Sequence, residues 1–334
     1  MKPGFIFAGK LRRNTILPAY GSPVIDIPGG DLLYAAAGLL LWEEKAGLLS
    51  RVGENYPHDW LQRIAKVGMD TTGIKVLPES MDLRNLMAYN ENSEPIQANP
   101  VSIFAKRGIP FPKTLSGYQS TPSIEINGTE GDPSSPRPED IPSVYKKFQN
   151  IHLCEMEFPT ITRFISAFRE AGTRTLTVEP ANEWMQPEKW YEISLLLNGI
   201  SAFLPSKESL SSLFKNKTTD VIEMVGAISN ENCEVVVVKS GVKGQLVHDA
   251  RSKKSWQVPA YPVKIIDPTG AGAAFCGGFL AGLAQSGDPL QASLMGNISA
   301  SITLEGSGIF HILEAQPGLA QARLASLKEE VRQI

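Results

Sequence analysis

The residues best suited to chemistry lie in one C-terminal run, VKIIDPTGAGAAFCGGFLAGLAQSG, at positions 263–287. Val263–Ile266 reads as a strand and Ala273–Gln285 as a helix, with Asp267-Pro268-Thr269-Gly270-Ala271-Gly272 turning between them. Such a turn leaves successive backbone N–H groups unpaired at a helix start, where the helix dipole adds positive potential. That is chemistry for holding an anion such as a phosphate. Gly270 and Gly272 let the phosphate come close with no Cβ in the way. Ala274, Gly277, Gly278, Ala281 and Gly282 predict a helix that packs tightly on its sheet. A glycine-rich strand–helix joint with no ligand is the alternative that this segment alone leaves open.

Two other phosphate motifs fail on spacing. A dinucleotide fingerprint needs glycine at 275, where Phe275 stands, and belongs to a first βαβ unit. A Walker A loop needs Gly-Lys-Ser/Thr to follow, and it does not.

The elements that must position this turn alternate along the chain. Phe5–Ala8, Ile151–Leu153, Thr175–Val178, Ala202–Leu204 and Val235–Val238 read as short buried strands. Trp60–Val67, Thr160–Ala171 and Pro187–Leu197 read as helices between them. That alternation predicts an α/β fold, a mostly parallel sheet with helices on both faces. Residues 74–105 differ, with polar turns between short alternating runs, which suits an antiparallel flap with one wet face. Residues 107–142, rich in Pro, Gly and Ser, read as a long surface excursion, either a disordered loop or a lid or partner-binding insertion.

Composition closes off several classes. The 334 residues carry a net charge of −3 with basic residues scattered, which argues against nucleic-acid coating or a polybasic anchor. The apolar run Leu32–Trp42 is too short to span a bilayer and meets Glu43 and Glu44. The start MKPGFIFAGKLRR lacks the order of a signal peptide. Cys154, Cys233 and Cys276 stand far apart, which fits a reducing compartment and no disulfide scaffold. A soluble, cytoplasmic protein is expected.

DPTGAGAAFCGGFLAGL resembles the C-terminal signature of ribokinase-like (PfkB-type) carbohydrate kinases, D-T-x-G-A-G-D-x-F-x-x-G-F. Four other segments agree, in the family's order. Pro28-Gly29-Gly30 before an Ala-rich helix resembles the Gly-Gly motif at the sugar site. SRVGENYPHDWLQRIAKVGMDTTGI (50–74) resembles G-x-V-G-x-D, a helix, then G-V-D-T-S-G-V. VVVVKSGVKGQLV (235–247) resembles the strand–T-x-G-x-x-G–strand element beside the nucleotide phosphates, and MGNISASITLEGSG (295–308) the helix flanking the adenine.

The resemblance implies a ribokinase-like three-layer α/β/α sandwich, one domain over 1–334, with a small β-lid from about 15–28 and 74–105. It implies ATP and Mg2+, with K+ in some members, and phosphorylation of a hydroxymethyl group on a sugar or nucleoside. Gly270, Ala271 and Gly272 become the anion hole. Lys239, Ser240, Gly241, Gly244 and Asn297 fall at the nucleotide, and Asn14, Gly29, Gly30, Asp31 and Tyr34 at the substrate. Asp267 matches a residue near a monovalent cation. A homodimer through the lid is a further implication.

The departures are as informative. The family's general base is the aspartate ending the signature, and here that position is Ala273, whose methyl accepts no proton. The chain as written is therefore expected to be a nearly inactive kinase. An inactivating Asp→Ala change is the favoured account, against a natural pseudokinase that binds nucleotide or sugar, or a nucleoside kinase on the same fold. Asn14 replaces a frequent aspartate and Tyr34 a frequent asparagine, while Asp31 is a replacement acceptor for a substrate hydroxyl. Tyr34 could stack on a base in a nucleoside kinase, or only pack in a sugar kinase. The N-x-x-E element that organises magnesium water reads Ser206 and Ser209, with Glu208 one place out of register. Lys239 replaces a threonine and would supply a cation facing the phosphates. His58, His152, His248 and His311 show no metal spacing and are read as structural, Arg12-Arg13 as solvated, and Asp82 and Arg84 as lid residues.

Overall fold

The alternation of apolar residues along short strands decides the architecture. The computed structural model describes residues 4–119, 131–145 and 148–334. Its strands are β1 (Phe5–Ala8), β2 (Arg12–Leu17), β3 (Val24–Gly29), β4 (Ala46–Gly53), β5 (Met69–Leu77), β6 (Arg84–Ala88) and β7 (Asn150–Leu153). There follow β8 (Thr175–Val178), β9 (Ala202–Phe203), β10 (Val235–Lys239), β11 (Gln245–Asp249), β12 (Lys254–Val258) and β13 (Arg332–Gln333).

The large sheet has the order β13-β12-β11-β10-β9-β8-β7-β1-β4-β5. From β10 to β5 every ladder is parallel, and β11, β12 and β13 extend the β10 side antiparallel. Successive strand residues point to opposite faces. Phe5, Phe7, Val235 and Val237 therefore enter one core, and Ile6, Ala8, Val236 and Val238 the other. Helices Asp31–Leu40, Ala271–Ser286 and Pro289–Thr303 cover the first face. Helices Phe158–Glu170, Trp190–Leu197 and Val221–Ser229 cover the second. The α/β/α sandwich is the fold the sequence predicts. Among the described residues, no helix is long and apolar enough to cross a membrane.

The lid expectation needs redrawing. The small sheet has the order β3-β2-β6, with β3 antiparallel and β6 parallel to β2. Residues 74–77 instead extend β5, paired to β4 in the large sheet, so the flap boundary at 74 is wrong. At the other end Pro100–Lys106 is a helix, because Asn99 caps it by accepting from the Val101 amide and Pro100 opens it. Val263–Ile266 is no strand either. Prolines bracket it at 262 and 268, and the amides of Ile266 and Asp267 both donate to the Leu304 carbonyl. A helix end holds the segment, not a ladder.

The described part of the 107–142 excursion is packed. Leu115 is buried with Leu17, Ala88, Ile103 and Phe104 under the small sheet. Arg51 in β4 donates to Asp140 from Nε at 2.5 Å and Nη2 at 2.9 Å, and Lys75 in β5 adds a third bond at 3.1 Å. Burial alone would raise the Asp140 carboxyl, yet these donors and the Arg137 amide hold it below the usual carboxylate range. Residues 120–130 of the excursion lie outside the described residues.

Helices Asp31–Leu40 and Ala271–Ser286 meet backbone to backbone. A Cβ on Gly277 would overlap the Ala35 carbonyl, and one on Gly38 the Ala274 carbonyl. Gly277→Ala is therefore expected to destabilise by about 1–3 kcal/mol through overpacking. Alanine's helix propensity alone would act oppositely, by roughly 1 kcal/mol. Urea unfolding reads the difference as a lowered midpoint at constant m-value. An unchanged or raised midpoint would show that the two helices separate freely.

Candidate active site

The site forms where the parallel strands end and two helices begin, the place where open α/β sheets bind ligands. Gly270 caps the helix Ala271–Ser286 in the left-handed region, φ 76. A Cβ there would collide with the ring of Tyr34, so the aromatic face of Tyr34 backs the turn directly. The amides of Ala271 and Gly272 start the helix with no side-chain cap, as an anion site requires. Ala273 follows, 4 % exposed and part of the apolar cluster with Tyr34 and Leu33.

The other wall is the start of helix Asp31–Leu40. Gly30, φ 99, faces the Lys10 carbonyl so closely that a side chain would overlap it. Gly29 lies against the amide of Asn14, which is buried in β2 and accepts from Asn85 of β6 at 3.4 Å. The small sheet thus brings Asn14, Gly29 and Gly30 together with the first helix. Tyr34 is 1 % exposed, which gives it the packing role and leaves no face for a base to stack on. Its hydroxyl, near Asn14 and Asp267, makes no hydrogen bond.

A charged group that sequence reasoning missed closes the floor. Glu179 follows β8 and forms an ion pair with Lys239, the last residue of β10. A Cβ on Gly272 would lie 3.7 Å from both Glu179 Oε1 and Lys239 Nζ, so the pair abuts the glycine turn. Lys239 also reaches Cys276 Sγ at 3.5 Å, one turn further along the helix. Burial opposes its charge, but Cys276 and Glu179 outweigh that and keep the ammonium protonated. Desolvation and the charge of Glu179 push the carboxyl of Glu155, after β7, well above the usual carboxylate range. The signal for Glu179 was present: a carboxylate at the C-terminal end of a buried parallel strand.

Asp31 sits among these groups as the first residue of its helix. Water reaches it, and desolvation with the charge of Glu179 raises its carboxyl to about 6. Lys10 and Arg12 face it from the β1–β2 side. They are not simply solvated: Lys10 pairs with Glu157 and with Asp132 at 3.0 Å, and Arg12 stands 3.8 Å from Asp132. Arg13 is likewise pinned, to Asp26 at 2.6 Å. Asp82 and Arg84 pair with each other at 2.7 Å.

Donor chemistry discriminates among the expected cofactor residues. Asp267 is fully buried; one oxygen accepts from the Thr269 amide at 2.9 Å and Oδ2 has no partner, which fits a monovalent cation. Glu208 is exposed on the first turn of helix Lys207–Leu213, so it can reach a metal only through water. Ser206 caps that helix and bridges to Lys239. His152, Glu179 and Cys276 come within 4.8 Å of one another, but the Lys239 ammonium already occupies their shared charge. His152 donates or accepts with Thr177 at 2.8 Å, and burial depresses it to about 4. Gly241 and Gly244 form the tight turn after β10, with Ser240 donating to the Gly244 carbonyl at 2.9 Å. Asn297 is internally satisfied: it donates to Gln245 and Pro259 at 2.8 Å and accepts from the Tyr261 amide at 3.0 Å. It anchors the segment after β12 to its helix.

An α/β/α sandwich with a small sheet over an amide-lined glycine turn is the architecture of ribokinase-like sugar and nucleoside kinases. The model of the pfkB family carbohydrate kinases matches residues 143–315, over half of the chain, and the chain belongs to that family. A cytidine kinase from Thermococcus kodakarensis is 26 % identical over 269 residues, 80 % of this chain and 84 % of that one. A provisionally named ribokinase II from E. coli, solved with ATP and Mg2+, superposes with a TM-score of 0.70 at 16 % identity, over 96 % of this chain and 99 % of that one. A fructokinase double mutant from Vibrio cholerae, with fructose, ADP and potassium ion bound, gives 0.67 at 21 % identity over 98 % of each chain.

The Glu179–Lys239 pair is 6 % and 12 % exposed at its side chains, so removing one partner strands a buried charge. Lys239→Met is expected to cost about 3–5 kcal/mol. Adding Glu179→Gln should restore most of it. Denaturant titration of the three variants decides, and a Lys239→Met cost within about 0.5 kcal/mol would show the pair to be solvent-screened.

Proposed function

We propose that this chain binds ATP on the glycine turn and a small sugar or nucleoside between the small sheet and the first helix. It presents a hydroxymethyl group of that acceptor to the γ-phosphate. The observation that supports this best is the pairing of two helix starts. The helix start at Gly270–Gly272, which has no side-chain cap, would receive the phosphate, and Asn14, Gly29, Gly30 and Asp31 belong to the small sheet and helix start beside it. Lys239 adds a fixed positive charge at the edge of the turn, where phosphate oxygens would lie. Magnesium bound with the nucleotide would neutralise further phosphate charge. Asp267 would hold a monovalent cation behind the turn. Ile25 of the small sheet and Tyr20 of its β2–β3 connection are exposed, which suits the expected contact with a second copy.

Ala273 withholds the carboxylate from the place where the family resemblance puts the base. Transfer through that position should be slower by about 10²–10⁴-fold. The methyl does not stand alone: Lys239, Asn14, Tyr34, Ser206 and Ser209 also depart from the family pattern around the same site. That supports a site altered as a whole over a single disarming Asp→Ala change. A second reading, a nucleotide- or sugar-binding protein without turnover, draws on the burial of Ala273 among apolar groups.

The phosphotransferase reading requires nucleotide binding, because the cradle is backbone and Ala273 leaves it in place. Calorimetry with ADP and Mg2+ should show saturable binding. It should weaken when Gly272 is replaced by Val, whose branched side chain would crowd Glu179 and Lys239. No binding at millimolar ADP would remove the phosphotransferase reading.

A further inference from the structure

The carboxylate absent at 273 has a counterpart across the site. Tyr34 contacts Gly270, Gly38 contacts Ala274 and Ala35 contacts Gly277, so the helices Asp31–Leu40 and Ala271–Ser286 run side by side in the same direction. Asp31 precedes Tyr34 by three residues, about 4.5 Å along the axis. Its charge interacts with Glu179 and Lys239, the pair that abuts Gly272, so it lies near the glycine turn. Among the described residues, nothing donates a hydrogen bond or forms an ion pair to it, and water reaches it. The other carboxylates nearby are unsuited. Glu179 is committed to Lys239, and desolvation and like charge raise the Glu155 carboxyl well above the usual range.

We propose that Asp31 is the carboxylate that takes the proton of the attacking hydroxyl in this chain. The proposal rests on the phosphotransferase reading and deepens it. As the acceptor O–H bond breaks, its proton passes to Asp31 and its oxygen forms the new bond to the γ-phosphorus. The bond from that phosphorus to the β–γ bridging oxygen breaks, and ADP leaves with the electron pair. Glu179 and Glu155 face Asp31 with negative charge or a carboxyl group from beyond β8 and β7. Lys239, Lys10 and Arg12 face it with positive charge from β10, the β1–β2 connection and β2. The result is a carboxyl raised to about 6, ionised at neutral pH yet basic enough to accept a proton.

The test uses the full chain with ATP and Mg2+ and four probes: ribose, fructose, cytidine and inosine. Phosphorylated product is read by mass spectrometry and ADP binding by calorimetry. Asp31→Asn should lower transfer by about 10²–10⁴-fold while ADP affinity stays within about twofold. The unmodified chain should gain rate as pH rises through about 6, and the variant should lose that limb. Asp31→Asn combined with Ala273→Asp should recover transfer, which a merely structural role for Asp31 would not allow. Thermal melting of Asp31→Asn confirms that the comparison is between folded proteins. Asp31→Asn keeping its rate within about threefold would overturn the proposal. So would an unmodified chain that binds ADP yet phosphorylates none of the four probes. A chain that binds no ADP fails one step earlier, at the phosphotransferase reading itself.

Discussion

Everything in the site depends on two helices touching through glycine. Gly38 and Gly277 remove the side chains that would hold the helices Asp31–Leu40 and Ala271–Ser286 apart, so backbone meets backbone. Dispersion between such surfaces is weak per atom and large in sum. The contact fixes more than distance. It aligns the two helix starts, one carrying the amide cradle and the other Asp31 and the Gly29-Gly30 approach. Tyr34 then fits against Gly270, and the left-handed turn at Gly270 has a rigid backing.

Electrostatics follow from that frame. The cradle attracts negative charge, yet the space around it already holds Asp31, Glu155 and Glu179. The burial of Lys239 resolves part of the conflict by neutralising Glu179. The raised carboxyl of Glu155 resolves another part. Asp31 is open to water and, among the described residues, has no ion-pair partner. The site therefore differs from its family's pattern in where charge is placed, and the change involves Asn14 in β2, Lys239 at the end of β10 and Ala273 in the helix Ala271–Ser286.

The fold was legible because the strands are short, buried and separated by helical stretches, a pattern that admits few architectures. The glycine turn was legible because backbone chemistry leaves a mark in residue type. Val263–Ile266 misled because its β-branched run suits a strand, and only the flanking prolines and the Leu304 carbonyl decide otherwise. The edge of the flap misled because alternation at 74–77 is equally suited to β5 in the large sheet. Glu179 was overlooked for a different reason. Its meaning comes from meeting Lys239, 60 positions later, and no local pattern announces a partner at that distance.

The cradle at Gly270–Gly272 offers main-chain N–H groups, which every non-proline residue carries. Such donors are nearly independent of which side chains surround them, provided the glycines and the packed tyrosine remain. Proton transfer has no such insurance, since it depends on a single carboxylate side chain. In this architecture recognition and turnover are separable by substitution, and recognition is the more durable of the two. A chain of this kind can drift toward a sensor of nucleotide or sugar without passing through an unfolded or ligand-blind form.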